Sequence, residues 1–135
     1  MSRIIVYRVE HVRTGNGPFG ADSSPSLRDA LSAHCARWPA LIPEIDELCP
    51  GFQPDYHYCA VRRLSLVNEW FGPFQQELTL AGFSVFAYEP LASNVLLSSD
   101  ESQVAFARYG PTPRRQLPWP ELAPTQLPLF SYPKH

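Results

Sequence analysis

Seven of the chain's fifteen prolines fall after Tyr109: Pro111, Pro113, Pro118, Pro120, Pro124, Pro128 and Pro133. A proline lacks the backbone N–H and fixes φ, so a run of this density forbids a helix and breaks up a strand ladder. The last 27 residues are therefore expected to be extended and polyproline-like, either mobile or laid over the surface. A folded domain must then be built from residues 1–108, with 109–135 as a tail. That length still buries a core without disulfides or metal.

The first 108 residues read as an α+β domain. Ile4 to Glu10 is β-branched and aromatic with no breaker, and apolar on both faces until Arg8, which suits a central strand. "TGNGPFG" follows as a turn. Ser24 can cap a helix and Pro25 suits its first position. Leu27, Ala30, Leu31, His34, Cys35 and Trp38 then recur at helical spacing, and Pro39 and Pro43 end the run, with one short turn at "PEIDEL". Tyr56 to Val61 is a short strand. Ser65 can cap a second helix with Leu66, Trp70 and Phe71 inward, interrupted at Pro73 and stopped by Gly82. "FSVFAYEP", "NVLLS" and "QVAFAR" are strand candidates, the last two around "SSDES". The order implies a mainly antiparallel sheet with two main helices packed on it.

Composition narrows the function. The net charge is −2, which supplies no basic field, so no direct contact with nucleic acid is expected. No apolar run reaches the ~18 residues of a membrane helix, and the N-terminal one is too short for a signal peptide. The three cysteines, Cys35, Cys49 and Cys59, are an odd number. Together these features imply a reducing cytosol and no membrane.

Catalytic and metal patterns are sparse. Cys35 and His34 are sequence neighbours on one helix and point apart. His57 and Cys59 share a strand face, but a small buried cysteine is the commoner role. Cys35, Cys49, His57 and Cys59 lack the short ligand pairs of zinc sites, so no metal is expected. "GNGPFG" loses a cradle N–H at Pro18 and has no following Lys-Ser/Thr, so it is a turn. Arg8, Glu10 and His11 end the first strand, while Gln103 opens the last with Glu101 two residues before. If the strands were neighbours, Arg8 and Gln103 would converge on a cleft. A buried Arg–Glu pair or a solvated strand end is the preferred reading.

"YRVEH…TG-G-PF", "YHYC" before a helix with "S-L…WF", "L-GF-V…YE" and "QV-F" together resemble small proteins of bacteriophages and prophages, over most of residues 4–108. The resemblance implies an accessory protein acting on a host protein in the bacterial cytosol. The layout also looks like a minimal ADP-ribosyltransferase. That resemblance implies NAD as cofactor, with Tyr7, Arg8, Ser65 and Gln103 as its catalytic positions. Gln103 stands where a carboxylate would orient the nucleophile and stabilise a cationic sugar. Otherwise no cofactor is expected.

The tail carries "QLPLF". It is similar to the peptide by which bacterial replication and repair proteins dock on the DNA polymerase sliding clamp. Gln126, Leu127, Leu129 and Phe130 occupy its four defined positions, with Pro128 in the variable one. The resemblance implies the clamp as partner, with Leu129 and Phe130 as apolar anchors and Gln126 as the polar hook. Packing of the tail back on the domain is the alternative.

Overall fold

The computed structural model describes residues 2–35, 53, 56–98, 101–107 and 112–120. Six strands form one antiparallel sheet: β1 (Val6–His11), β2 (His57–Val61), β3 (Phe83–Tyr88), β4 (Val95–Leu97), β5 (Gln103–Ala107) and β6 (Arg114–Leu117), in the spatial order β4-β5-β2-β1-β3-β6. β1 lies at the centre, as its two-sided apolar pattern requires. Two main helices, α1 (Pro25–Cys35) and α2 (Leu64–Phe71), and a short α3 (Gln75–Leu80) pack on one face. The architecture is the expected α+β one.

The register divides the sheet cleanly. On the helical face Val9, Val61, Phe83 and Val85 meet Leu31 of α1, Leu66, Val67 and Trp70 of α2 and Leu78 of α3. On the other face Val6, Ala60, Phe86, Tyr88, Val104 and Phe106 form a second cluster, which among the described residues draws on the sheet alone. Every residue of β3 is buried, so its "FSVFAY" alternation separates two cores rather than a core from solvent.

The α1 boundary is set by its cap. The Ser24 hydroxyl accepts the Leu27 N–H at 3.2 Å, and Pro25 takes the first helical position. Leu31 is fully buried and Leu27 half-buried, whereas Ala30 is exposed. His34 Nε2 lies 2.8 Å from the Glu69 carbonyl and its ring meets Phe74 edge-on, joining α1 to α2 and to the turn that follows it. Trp38, Pro39, Pro43 and "PEIDEL" lie outside the described residues.

Two sequence expectations are corrected. Ser65 does not cap α2. The cap is Arg63, extended at φ −122° and ψ 135° and without a side-chain bond, and Ser65 sits exposed in the first turn. The Leu66 N–H already bonds Arg63 O at 3.0 Å, so the helix starts early enough to pack Leu64 against the core. The prolines after Tyr109 also do not prevent a ladder. Arg114–Leu117 pairs with β3 from Tyr88↔Arg114 to Val85↔Leu117. Pro113 and Pro118 bracket those four residues rather than interrupt them. As an edge strand, β6 needs ladder bonds on one side only.

Pro73 converts the end of α2 into a 3-10 turn over Gly72–Phe74, after which α3 resumes. Gly82 stops α3 at φ +96°, in the left-handed region, and its N–H bonds Thr79 O at 3.1 Å. A Cβ there would stand 2.6 Å from His11 Nε2. Gly82→Ala is expected to lower unfolding stability by about 2 kcal/mol, from the left-handed backbone and the displaced imidazole together. Urea denaturation of the variant beside the unsubstituted protein measures it.

Candidate functional site

β1 runs beside β3 along its whole length, and β2 likewise beside β5. Between β1 and β2 the register has a single partner pair, Tyr7↔Val61. Beyond it, the C-terminal half of β1 and the N-terminal half of β2 part. A gap in the middle of a sheet leaves backbone groups to be satisfied some other way. Arg8 does this: its Nη1 donates to Cys59 O at 2.9 Å and its Nη2 to Gly15 O at 2.9 Å. The guanidinium also lies 4.1 Å above the centre of the Tyr58 ring.

The "TGNGPFG" turn fills the far end of the gap. Gly15 adopts φ +77°, and a Cβ would fall 2.8 Å from Tyr58 Oη, so no other residue fits without a shift. Asp22 ties the turn together: its Oδ2 accepts Thr14 Oγ1 at 2.6 Å and Asn16 Nδ2 at 3.0 Å. These bonds, Thr14 foremost, hold the Asp22 carboxyl below its ordinary pKa. Phe19 then returns to the helical face and packs against Phe71, with ring centres 6.0 Å apart.

The result is a cleft of about 270 Å³ on the helical side. Tyr7, Val9, Cys59 and Val61 line it from the strands, Phe19 from the turn, and Trp70 and Phe71 from α2, with Arg8 at the parting of the strands. Small-molecule pockets usually span about 300–1,000 Å³, so this space suits one ring system rather than a dinucleotide. Cys59 is half-buried.

Beside the cleft, on the opposite face, lies a buried charge. Glu10 is fully buried. Its Oε1 accepts Arg8 Nε at 3.0 Å and Tyr88 Oη at 2.6 Å, and its Oε2 accepts Arg114 Nη1 at 3.0 Å. Arg114 stacks over Phe86 at 4.6 Å and is about half exposed. Burial, then the bond to Glu10 and its charge, push the Tyr88 phenol well above its ordinary pKa, against the opposing pull of Arg114.

The polar residues singled out in the sequence are thereby sorted. Arg8 and Glu10 form the buried pair. His11 lies across from Phe83, and its Nδ1 accepts the Arg13 N–H at 3.2 Å. Glu101 is in the turn before β5 at φ 60°, 4.0 Å from Arg62. Gln103 is buried on β5, with β2 between it and β1. Tyr7, Val61 and Gln103 lie in line on the helical face, whereas Arg8 projects from the other. Ser65 is exposed on α2, so Tyr7, Arg8, Ser65 and Gln103 do not surround one space. Gln126, Leu127, Leu129 and Phe130 lie outside the described residues. Sequence reasoning missed Tyr88, Arg114 and Trp70 as site residues, and weighed Cys59 but gave it a structural role. One signal was available: Glu10 on a central strand must be buried, and one arginine at i−2 leaves carboxylate lone pairs over.

Among the described residues, no three His, Cys, Asp or Glu side chains gather to hold a metal. No helix among them is long and apolar enough to cross a membrane.

Glu10→Gln is expected to cost about 3 kcal/mol, because it leaves two arginines facing an uncharged group in a buried place. Arg114→Ala should cost less, since Arg114 is half exposed. Stability should also fall as pH rises above about 10, where the unfolded chain releases the Tyr88 proton and the folded protein keeps it. Denaturant midpoints measured from pH 8 to 11 should show a shallower alkaline loss in Tyr88→Phe.

A family model described as Bacteriophage T4 Y00F protein matches residues 1–119. The matched span takes in the six strands and three helices of the described residues, and it ends before Gln126. No curated protein and no solved structure matches the chain. The resemblance to phage proteins therefore holds across both the sheet and its splayed centre, and the chain belongs to the bacteriophage T4 Y00F protein family.

Proposed function

We propose that this phage protein is an accessory factor that acts in the host cytosol by binding a host protein, its tail peptide docking on the DNA polymerase sliding clamp. Replication, repair or defence is modulated as a result. The observation that carries this reading is the peptide: Gln126, Leu127, Leu129 and Phe130 fill all four defined positions of the clamp-binding pattern.

The domain is a suitable carrier. β6 is an edge strand, and Trp119 packs against the helical core, which anchors the chain just before the peptide. The residues from Pro120 to Thr125 can reach about 20 Å when extended. Pro120, Pro124 and Pro128 reduce the entropy lost when such a segment is ordered on a partner. Leu129 and Phe130 supply the buried anchors, and Gln126 sets the register.

Binding of a peptide of residues 122–135, and of the full chain, to purified clamp tests this. A dissociation constant on the order of micromolar is expected. Gln126→Ala should weaken it about tenfold, and Leu129→Ala with Phe130→Ala should abolish it. A chain ending at Pro120 should not bind. Absence of binding by the full chain at about 100 µM would remove the proposal.

A further inference from the structure

We propose that the cleft between β1 and β2 is a binding site for a small planar aromatic molecule carrying a carbonyl or carboxylate acceptor. The proposal rests on the cleft residues alone and does not depend on the tail peptide docking on a clamp.

Three observations point to that ligand class. The walls are ring faces and branched aliphatics: Tyr7, Phe19, Trp70 and Phe71 with Val9 and Val61. Such walls favour a flat apolar body, and about 270 Å³ limits it to one or two rings. The polar groups at the parting of the strands are donors. A guanidinium has five N–H groups, and three of those on Arg8 are committed to Glu10, Cys59 O and Gly15 O. Its Nη edge abuts Gly17, a cleft residue: a Cβ on Gly17 would lie 3.6 Å from Nη2. Tyr7, a lining residue, also carries a hydroxyl able to donate. Finally, the one charged side chain among the lining residues is a cation, Arg8. Its charge favours a neutral or anionic acceptor and opposes a cation.

The cleft is also built rather than incidental. Closing it would let β1 and β2 pair along their length and gain ladder bonds. Instead a buried arginine, a left-handed glycine and the Asp22 clasp hold the strands apart. A site pre-formed in this way needs no reorganisation to accept a ligand.

Four probes of one ring size distinguish the terms: benzamide, benzoate, toluene and benzylamine. Full-length protein is titrated by two-dimensional NMR, reading the Trp70 indole and the Gly17 and Gly20 amides, and alkylation of Cys59 is followed by mass spectrometry. Benzamide and benzoate should shift these signals saturably, with dissociation constants of about 1 mM or tighter, and protect Cys59. Toluene, without an acceptor, should bind about tenfold more weakly. Benzylamine, a cation, should neither bind nor protect. No saturable shift with benzamide or benzoate at 10-fold above that range overturns the proposal. So does toluene or benzylamine binding as tightly as benzamide, or shifts confined to residues away from the cleft.

Discussion

The Glu10 carboxylate has no contact with solvent, and an ionised group in that position is tolerable only when its charge and its lone pairs are met. Arg8, Tyr88 and Arg114 meet them from β1, β3 and β6. Each bond fixes a register. Tyr88 stands opposite Val6 and Arg114 opposite Tyr88, so a slip of one residue in either ladder would carry a partner to the other face. Arg8 extends the same constraint to β2 through Cys59 O and to the turn through Gly15 O. Four strands and one loop are thus referred to a single carboxylate.

The cleft follows from that arrangement. Arg8 cannot serve Glu10, Cys59 O and Gly15 O at once unless β1 and β2 stand apart by the width of a guanidinium. The splay is held by a side chain that is itself held by Glu10. On the helical face the gap is left to Tyr7, Cys59 and the rings of α2 and the turn. Breaking the Arg8–Glu10 contact would therefore disturb both faces, although the cleft opens on one and the carboxylate lies under the other.

Much of this was legible in the chain. β1 was recognisable as central from its unbroken apolar character, α1 from Ser24-Pro25, and the stop of α3 from Gly82. These are local signals with local physical causes, and tertiary packing reinforced them. The Arg8–Glu10 pair was also readable, since residues two apart on a strand share a face. The partners from β3 and β6 were not, because sequence does not state which strands become neighbours. The same blindness made Arg8 and Gln103 candidates for one cleft, when β2 separates their strands and the pleat sends them to opposite faces. β6 was hidden for a different reason. Its flanking prolines advertise disruption, and only the edge position makes them harmless. There, Pro113 and Pro118 limit the ladder to four residues and discourage pairing with another chain.

Arg114 connects this centre to the C-terminal chain. A four-residue edge strand with three exposed residues has little apolar burial of its own to resist being drawn off the sheet. Its hold is electrostatic as well as hydrogen-bonded. Peeling β6 away would strip Glu10 of one of two positive partners and leave the lone pair that Arg114 meets open, a loss moderated by the half-exposure of Arg114. Trp119, packed on the helical core, adds an apolar anchor on the other side of Pro118. A pull on residues beyond 120 therefore meets two different restraints before it reaches β3, and the splayed pair of β1 and β2 lies one strand further in.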